Sequence, residues 1–306
     1  MKSKNYIIPL MIGIALSPSC SKSFLQLYPQ GQLNEGNFYK STQDFEQALT
    51  GAYTPLRNVT NIAFYMDEMR SDNTNYDYNA KDRGGRGYEQ FSDFLDDATN
   101  GATAARYQAD YSGISRANVI LDRIAKISFP MSDTDKNQIT GEAKALRAHY
   151  YFDLVRHYGG VPLYLHEVQS SATAFLPRSS VDSVYHQIIA DFTAAIGLLA
   201  PPKFPQTGHI TKGMAETGLA LVYMTRKNFS KAVPLLQDVT KMGYALLPDY
   251  ASVFMPANKN SRESVFEVQY MQGNNGGQQS DFIYYFIPVT PNTTNILGIR
   301  FNNTHG

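Results

Sequence analysis

The chain has 306 residues, enough to bury a large core, and carries 27 Lys plus Arg against 27 Asp plus Glu. A net charge of zero argues against nucleic acid as a partner, because phosphate backbones are bound by an excess of positive charge. The chain has 17 Phe, no Trp and 21 Tyr, and each tyrosine combines a flat ring with a polar edge.

Residues 1–19 are predicted to be a lipoprotein signal peptide. Lys2 and Lys4 precede an apolar run at 6–16, which lies within the roughly 7–15 residues of a secretory signal and is too short to span a bilayer. Small residues then lead to Cys20, the single cysteine, which excludes an internal disulfide. We predict cleavage before Cys20 and lipid attachment to its thiol. The alternative is ordinary cleavage that loses Cys20 or leaves it free.

Apolar residues recur at spacings of three and four along most of the chain, which predicts amphipathic helices. The predicted helices cover residues 41–56, 102–124, 133–158, 180–199, 211–225 and 229–242. The helix at 133–158 is apolar on two sides, so we expect it to lie between neighbours. Ser132 can cap its start, while Gly159 and Pro162 mark a sharp end.

The last four predicted helices form two successive pairs. In the second pair, Ala220, Tyr223 and Ala232 match the small–aromatic–small spacing of a tetratricopeptide pair, although generic helix packing is the alternative. The predicted fold class is mainly α, with tetratricopeptide-like helix pairs forming a short solenoid, decorated with loops and a few short strands. Residues 264–270 alternate in polarity and are predicted as one such strand.

Residues 61–100 show no clear period, and Gly84, Gly85 and Gly87 argue against a regular element there. Long loops inside compact domains tend to be functional. This loop mixes aromatic, amide, carboxylate and guanidinium groups, which suit the apolar faces and the hydroxyls of sugar rings. The predicted ligand-binding residues are Asp72, Asn73, Tyr76, Tyr78, Arg83 and Tyr88. The alternative is a tyrosine-rich loop folded back on its own core.

No cofactor, metal or catalytic site is predicted. The six histidines show no pair at the spacing that places two imidazoles on one helical face. Asp72, Asp77 and Asp82 could offer oxygen ligands to calcium, but the EF-hand glycine and closing glutamate are missing. No nucleophile elbow is present, and the glycines at 84–87 lack the lysine of a phosphate-binding loop. The chain is therefore predicted not to be an enzyme.

Several segments resemble the SusD/RagB family, nutrient-binding lipoproteins of the Bacteroidetes outer membrane. The most specific lie on the helix at 133–158 and just beyond it: Glu142, Ala143, Leu146, Arg147, Ala148, Tyr151, Phe152, Leu154, Val155 and Arg156, followed by Tyr158, Gly159, Gly160, Val161 and Pro162. Weaker pieces, at 24–27, 37–39, 48–53, 111–120, 176–179 and 208–215, spread the similarity over almost the whole chain.

This resemblance implies an α-helical domain over residues 20–306, a lipid anchor at Cys20 and a location at the outer-membrane surface. It implies capture of an oligosaccharide and delivery to a SusC-like TonB-dependent transporter, without catalysis. Family members usually stack sugars on tryptophan, which this chain lacks, and usually continue beyond the equivalent of Gly306, so we expect a C-terminally truncated member. The alternative is a helical-repeat scaffold that docks a protein and has no ligand of its own.

Overall fold

The described part of the chain is built from α-helices. The structure, a computed structural model, describes residues 38–76, 85–271, 279, 280, 292 and 295. Its helices are α1 (Thr42–Tyr53), α2 (Pro55–Ala63), α3 (Arg86–Ser92), α4 (Gly101–Ile124), α5 (Asp133–Tyr158), α6 (Val181–Leu198), α7 (Lys212–Thr225) and α8 (Phe229–Val239). A π-helical turn, Phe64–Glu68, follows α2, and short 3-10 turns lie at Ser171–Thr173, Tyr250–Phe254 and Pro256–Asn258. Every element above belongs to the unit at 41–306.

Helix α5 is the centre of the helical domain. It packs against α4 on one side and α6 on the other, and Leu146, Tyr150 and Leu154 are fully buried. The Ser132 hydroxyl accepts the Asp135 N–H at its start, and Gly159 ends it with a φ of +71°, a conformation that favours glycine. The predicted helix, its two apolar sides and both of its ends are confirmed.

A close approach between α4 and α5 fixes their packing. Any Cβ at Gly113 of α4 would overlap the ring of Tyr150 on α5. The hydroxyl of Tyr150 continues past α4 and donates to the carbonyl of Ala52 at the end of α1, at 2.8 Å. The buried side chain of Tyr150 on α5 therefore connects three helices, because its ring packs against α4 at Gly113 and its hydroxyl bonds to α1.

The predicted helix pairs are confirmed, since α5, α6, α7 and α8 each pack against the next helix along the chain. Arg147 of α5 binds Asp191 of α6 through two contacts of 2.8 Å, and it also donates to Asn118 of α4 at 2.8 Å. All three side chains are buried, so each charged or polar group finds its partner inside the helical layers.

The prediction that residues 61–100 form a loop without a regular element is wrong in two places. Helix α2 and its π-helical turn continue to Glu68, and α3 forms at Arg86–Ser92 despite its glycine. Phe91 is fully buried, and the ring of Tyr88 stacks on Tyr65 with centroids 3.9 Å apart. These tertiary contacts offset the roughly 1 kcal/mol that Gly87 costs a helix.

The strand predicted at 264–270 does not form. The segment is extended, but no strand occurs among residues 38–76 and 85–271, so the predicted short strands are not confirmed. Side chains occupy its carbonyl groups instead: Gln206 donates to Ser264 O at 2.5 Å, and Arg57 donates to Gln269 O at 2.8 Å. The alternating polarity correctly predicted the extended conformation of the segment. A strand also needs a neighbouring strand to pair with, and the alternation carries no information about that.

None of the helices in the described ranges combines the length and the hydrophobicity needed to cross a bilayer.

Candidate functional site

A shallow cleft opens between the segment that follows the π-helical turn and the segment that follows α3. We call it the loop cleft. Its volume is about 350 Å³, at the small end of the range of ligand pockets. It is lined by Met69, Arg70, Ser71, Asp72, Asn73, Thr74, Asn75, Ser92 and Phe94.

The first wall of the loop cleft is a tight turn held by the carbonyl of Glu68. This carbonyl accepts hydrogen bonds from the hydroxyls of Ser71, at 2.6 Å, and Thr74, at 2.8 Å. Ser71 also accepts the backbone N–H of Asn73 at 3.2 Å. The turn leaves Asp72 and Asn73 exposed at its tip, where a carboxylate and an amide face solvent.

Ser92, the last residue of α3, joins the two walls. Its hydroxyl donates to Asn75 Oδ1 at 2.8 Å and accepts the backbone N–H of Tyr76 at 3.2 Å. Because one hydroxyl serves both contacts, the position of residues 75 and 76 depends on the end of α3.

The aromatic edge of the loop cleft is Phe94. Its φ is +56°, a left-handed conformation that is uncommon for a residue with a side chain, and its side chain is 64% exposed. The guanidinium of Arg70 lies 4.8 Å from the ring centroid and also pairs with Asp96 at 2.5 Å. The polar contacts of Arg70 thus hold an exposed phenyl ring beside Asp72 and Asn73.

The π-helical turn that leads into the loop cleft is tied to the helical core by Arg106 of α4, which is 2% exposed. Its guanidinium binds Asp67 of the π-helical turn at 2.9 and 3.1 Å and Asp153 of α5 at 2.8 and 2.7 Å. His157 Nε2 lies 2.7 Å from the same Asp67 carboxylate. Partial burial alone would raise the pKa of Asp67, but the hydrogen bonds from His157 and Arg106 lower it to about 2.

The structure brings only part of the predicted site together. Asp72 and Asn73 line the loop cleft. Tyr76 adjoins it through its backbone, whereas Tyr88 does not line it and stacks on Tyr65 instead. The two remaining predicted ligand residues, Tyr78 and Arg83, and the predicted lipid-attachment residue Cys20 lie outside the described residues.

Sequence reasoning missed Arg70 and Phe94. The available signal was the apolar pair Phe94 and Leu95, placed directly after a polar helix end and before two aspartates. Both side chains are more than 60% exposed, Leu95 at 68%. Single exposed apolar residues are common on protein surfaces. Two neighbouring ones beside a polar cleft are a better indication of a binding surface.

Within the described residues, no group of three or more His, Cys, Asp or Glu side chains is arranged to hold a metal ion. Of the possible calcium ligands, Asp77 and Asp82 lie outside that part of the chain.

The fold and the cleft define a class of protein: an α-helical scaffold with tetratricopeptide-like pairs that carries a polar and aromatic cleft built from loops. Residues 24–224 match the SusD-like family whose description is "starch-binding associating with outer membrane". This match covers more than half of the 306 residues, and the chain belongs to the SusD-like family.

Individual relatives agree with this assignment. SusD-like protein P38 of Formosa agariphila is 34% identical over 201 residues, which cover 63% of this chain and 37% of the relative. SusD-like protein P2 of the same organism is 27% identical over 319 residues, covering 99% and 58%. A solved laminarin-binding SusD-like protein matches with a TM-score of 0.70 and 28% identity, covering 79% and 55%. The chain thus spans about half the length of the relatives it matches.

Proposed function

We propose that this protein binds a neutral oligosaccharide in the loop cleft and does not alter it chemically. The observation that carries the proposal is the exposed phenyl ring of Phe94, held by Arg70 at the edge of a cleft lined with amide, carboxylate and hydroxyl groups. A sugar ring offers an apolar C–H face and a rim of hydroxyls, and the loop cleft offers the complement of both.

The charges of the loop cleft favour a neutral ligand. Arg70 is already paired with Asp96, so it does not present a free positive charge to an acidic sugar. The exposed carboxylate of Asp72 would repel one. The laminarin-binding relative of known structure supports a neutral glucan as the first ligand to examine.

We further propose that residues 1–19 are a signal peptide and that Cys20 carries the lipid of a surface-exposed outer-membrane lipoprotein, with residues 20–306 forming the SusD-like domain. The family's description as associating with the outer membrane supports this location. In this proposal the bound oligosaccharide passes to a SusC-like TonB-dependent transporter.

One observation favours the second candidate, a docking scaffold without its own ligand. The last helix pair exposes a row of large apolar side chains at Leu221, Met224, Phe229, Val233 and Leu236, each at least 36% exposed. Such a face is typical of a protein contact. Heat from no glycan in the titration below would favour this candidate.

Calorimetric titration of the protein with a panel of neutral hexasaccharides, including laminarihexaose, tests the proposal. Phe94→Ala is expected to weaken binding about 5- to 10-fold, because an aromatic contact contributes on the order of 1 kcal/mol. A double variant, Asp72→Ala with Asn73→Ala, is expected to weaken it further by removing hydroxyl partners.

Phe254→Ala is the matched control, since Phe254 is 68% exposed and lies outside the loop cleft. The control is expected to bind like the unaltered protein. Equal binding by the Phe94→Ala and Phe254→Ala variants would place the ligand elsewhere.

A further inference from the structure

A second concave surface lies along α4, and it shares no lining residue with the loop cleft. We call it the tyrosine cleft. Its volume is about 370 Å³, and it is lined by Tyr107, Gln108, Tyr111, Pro162 and Tyr164. Three of the five lining residues are tyrosines, brought together from one helix and from the segment that follows α5.

The rings of the tyrosine cleft are fixed before any ligand arrives. Tyr111 donates its hydroxyl to the carbonyl of Pro162, and Tyr164 donates to the carbonyl of Ala174, both at 2.8 Å. The same two rings meet edge to face, with centroids 5.8 Å apart. A ligand that stacks here therefore does not have to order the walls, which removes one of the usual costs of binding.

Tyr107 is held at the mouth by ring contacts on two sides. Its ring lies 4.7 Å from that of Tyr111 and meets the ring of Tyr158 edge to face at 5.1 Å. Tyr158 is itself fixed, because its hydroxyl donates to the carbonyl of Thr103 at 2.8 Å. The aromatic wall is thus continuous from α4 to the end of α5.

The chemistry of the tyrosine cleft selects a neutral ligand. None of its lining side chains carries a charge, and burial raises the pKa of the Tyr111 phenol, which keeps that phenol protonated. The phenol of Tyr111 is already engaged, because it donates its hydrogen to Pro162 and has a side-chain hydrogen bond with Tyr107. The exposed amide of Gln108 offers both a donor and an acceptor at the rim.

We infer that the tyrosine cleft is a second binding subsite, which takes one neutral pyranoside ring. The apolar face of the sugar packs against the aromatic wall to which Tyr107 and Tyr164 contribute, and its hydroxyls bond to the amide of Gln108. The inference rests on the proposed function for the class of ligand, whereas its geometry is independent of the loop cleft.

The test follows single tyrosine rings by NMR, using the full chain labelled with ring-¹³C tyrosine and titrated with methyl β-glucopyranoside and with laminarihexaose. We expect the resonances of Tyr107, Tyr111 and Tyr164 to shift with either sugar. Tyr107→Ala is expected to weaken binding of the single ring about fivefold or more, while Tyr107→Phe, which keeps the ring, retains it. Gln108→Arg, a change at an exposed position, is expected to give the same loss without affecting the core.

Phe94→Ala separates the two proposals. If the subsite is independent, this variant leaves the shifts at the tyrosine cleft unchanged. Shifts that vanish in Phe94→Ala, or that persist in both Tyr107→Ala and Gln108→Arg, would overturn the inference. If the hexasaccharide binds at the loop cleft but no tyrosine-cleft resonance shifts, the inference is also overturned, whereas the proposed function stands. If the tyrosine-cleft resonances shift but Phe94→Ala does not change the affinity for the hexasaccharide, only the proposed site at the loop cleft is rejected.

Discussion

Asp110 lies one turn beyond Arg106 on α4, fully buried beside the carboxylate of Asp153, to which a protonated Asp110 can donate a hydrogen bond. Burial and the nearby negative charge of Asp153 raise the pKa of Asp110 well above its ordinary value. The folded protein therefore holds a proton on Asp110 that the unfolded chain releases above about pH 4. The stability that this group contributes is complete below that pH and is lost progressively as the pH rises.

Asp110→Asn is expected to remove this loss, because an amide is neutral at every pH. Between pH 5 and pH 7 the free energy of unfolding of the unaltered protein should fall by up to about 1.4 kcal/mol per pH unit more than that of the variant. Urea unfolding at several pH values measures the difference. The same change at the exposed Asp93 should leave the slope unaltered, and parallel curves for all three proteins would contradict the assignment.

Arg106→Met should destabilise the protein by up to about 3–5 kcal/mol, because it removes the two shortest hydrogen bonds of the buried Asp153 carboxylate and leaves only the longer contacts with Arg156 and His157. Arg226→Met is the matched control, since the Arg226–Asp182 pair is exposed and such pairs contribute about 0–1 kcal/mol. Chemical denaturation compares the two variants. Equal losses would mean that Arg106 does not carry the connection between α4, α5 and the π-helical turn.

At the scale of elements, the sequence was most informative where a local signal and the packing agreed. Helix α5 was predicted with both ends because Ser132 and Gly159 are local signals, and its two apolar sides anticipated neighbours on both sides. Helix α3 was missed because Gly87 within it and Gly85 before it oppose a helix locally, while the burial of Phe91 stabilises it. Burial of that kind leaves no periodic pattern in a segment of seven residues.

Gly113→Ala tests the closest approach between helices α4 and α5. The added methyl group would overlap the ring of Tyr150, so we expect a loss of about 1–3 kcal/mol or more in the free energy of unfolding. Gly51→Ala in α1 meets nothing within 4 Å and is expected to stabilise by about 0.5–1 kcal/mol. Thermal and urea unfolding of both variants should give opposite signs; the same sign would refute the packing argument.

For the whole molecule, the sequence predicted which region bears the candidate site better than which side chains form it. Asp72 and Asn73, two of the predicted ligand residues, line the loop cleft, and the aromatic residue beside them there is Phe94 rather than Tyr88. A tyrosine count cannot reveal that the ring of Tyr88 is engaged by Tyr65. The position of Phe94 depends on a left-handed backbone and on Arg70, which lies 24 residues earlier in the sequence.

Cys20→Ser tests the proposed lipid anchor. We expect the unaltered protein, expressed in a Bacteroidetes host, to incorporate a labelled fatty acid and to fractionate with the outer membrane, and the variant to lose both properties. Ser23→Ala serves as a nearby control. A variant that still incorporates the label would place lipid attachment at another residue.

The double clamp of Arg106 on Asp67 and Asp153 has a consequence for the kinetics of capture. Since the turn that leads into the loop cleft is fixed to the core, we expect a sugar to enter without waiting for that turn to rearrange. The observed association rate should therefore rise linearly with sugar concentration and show no plateau. Glycans that differ in affinity should differ mainly in their dissociation rates.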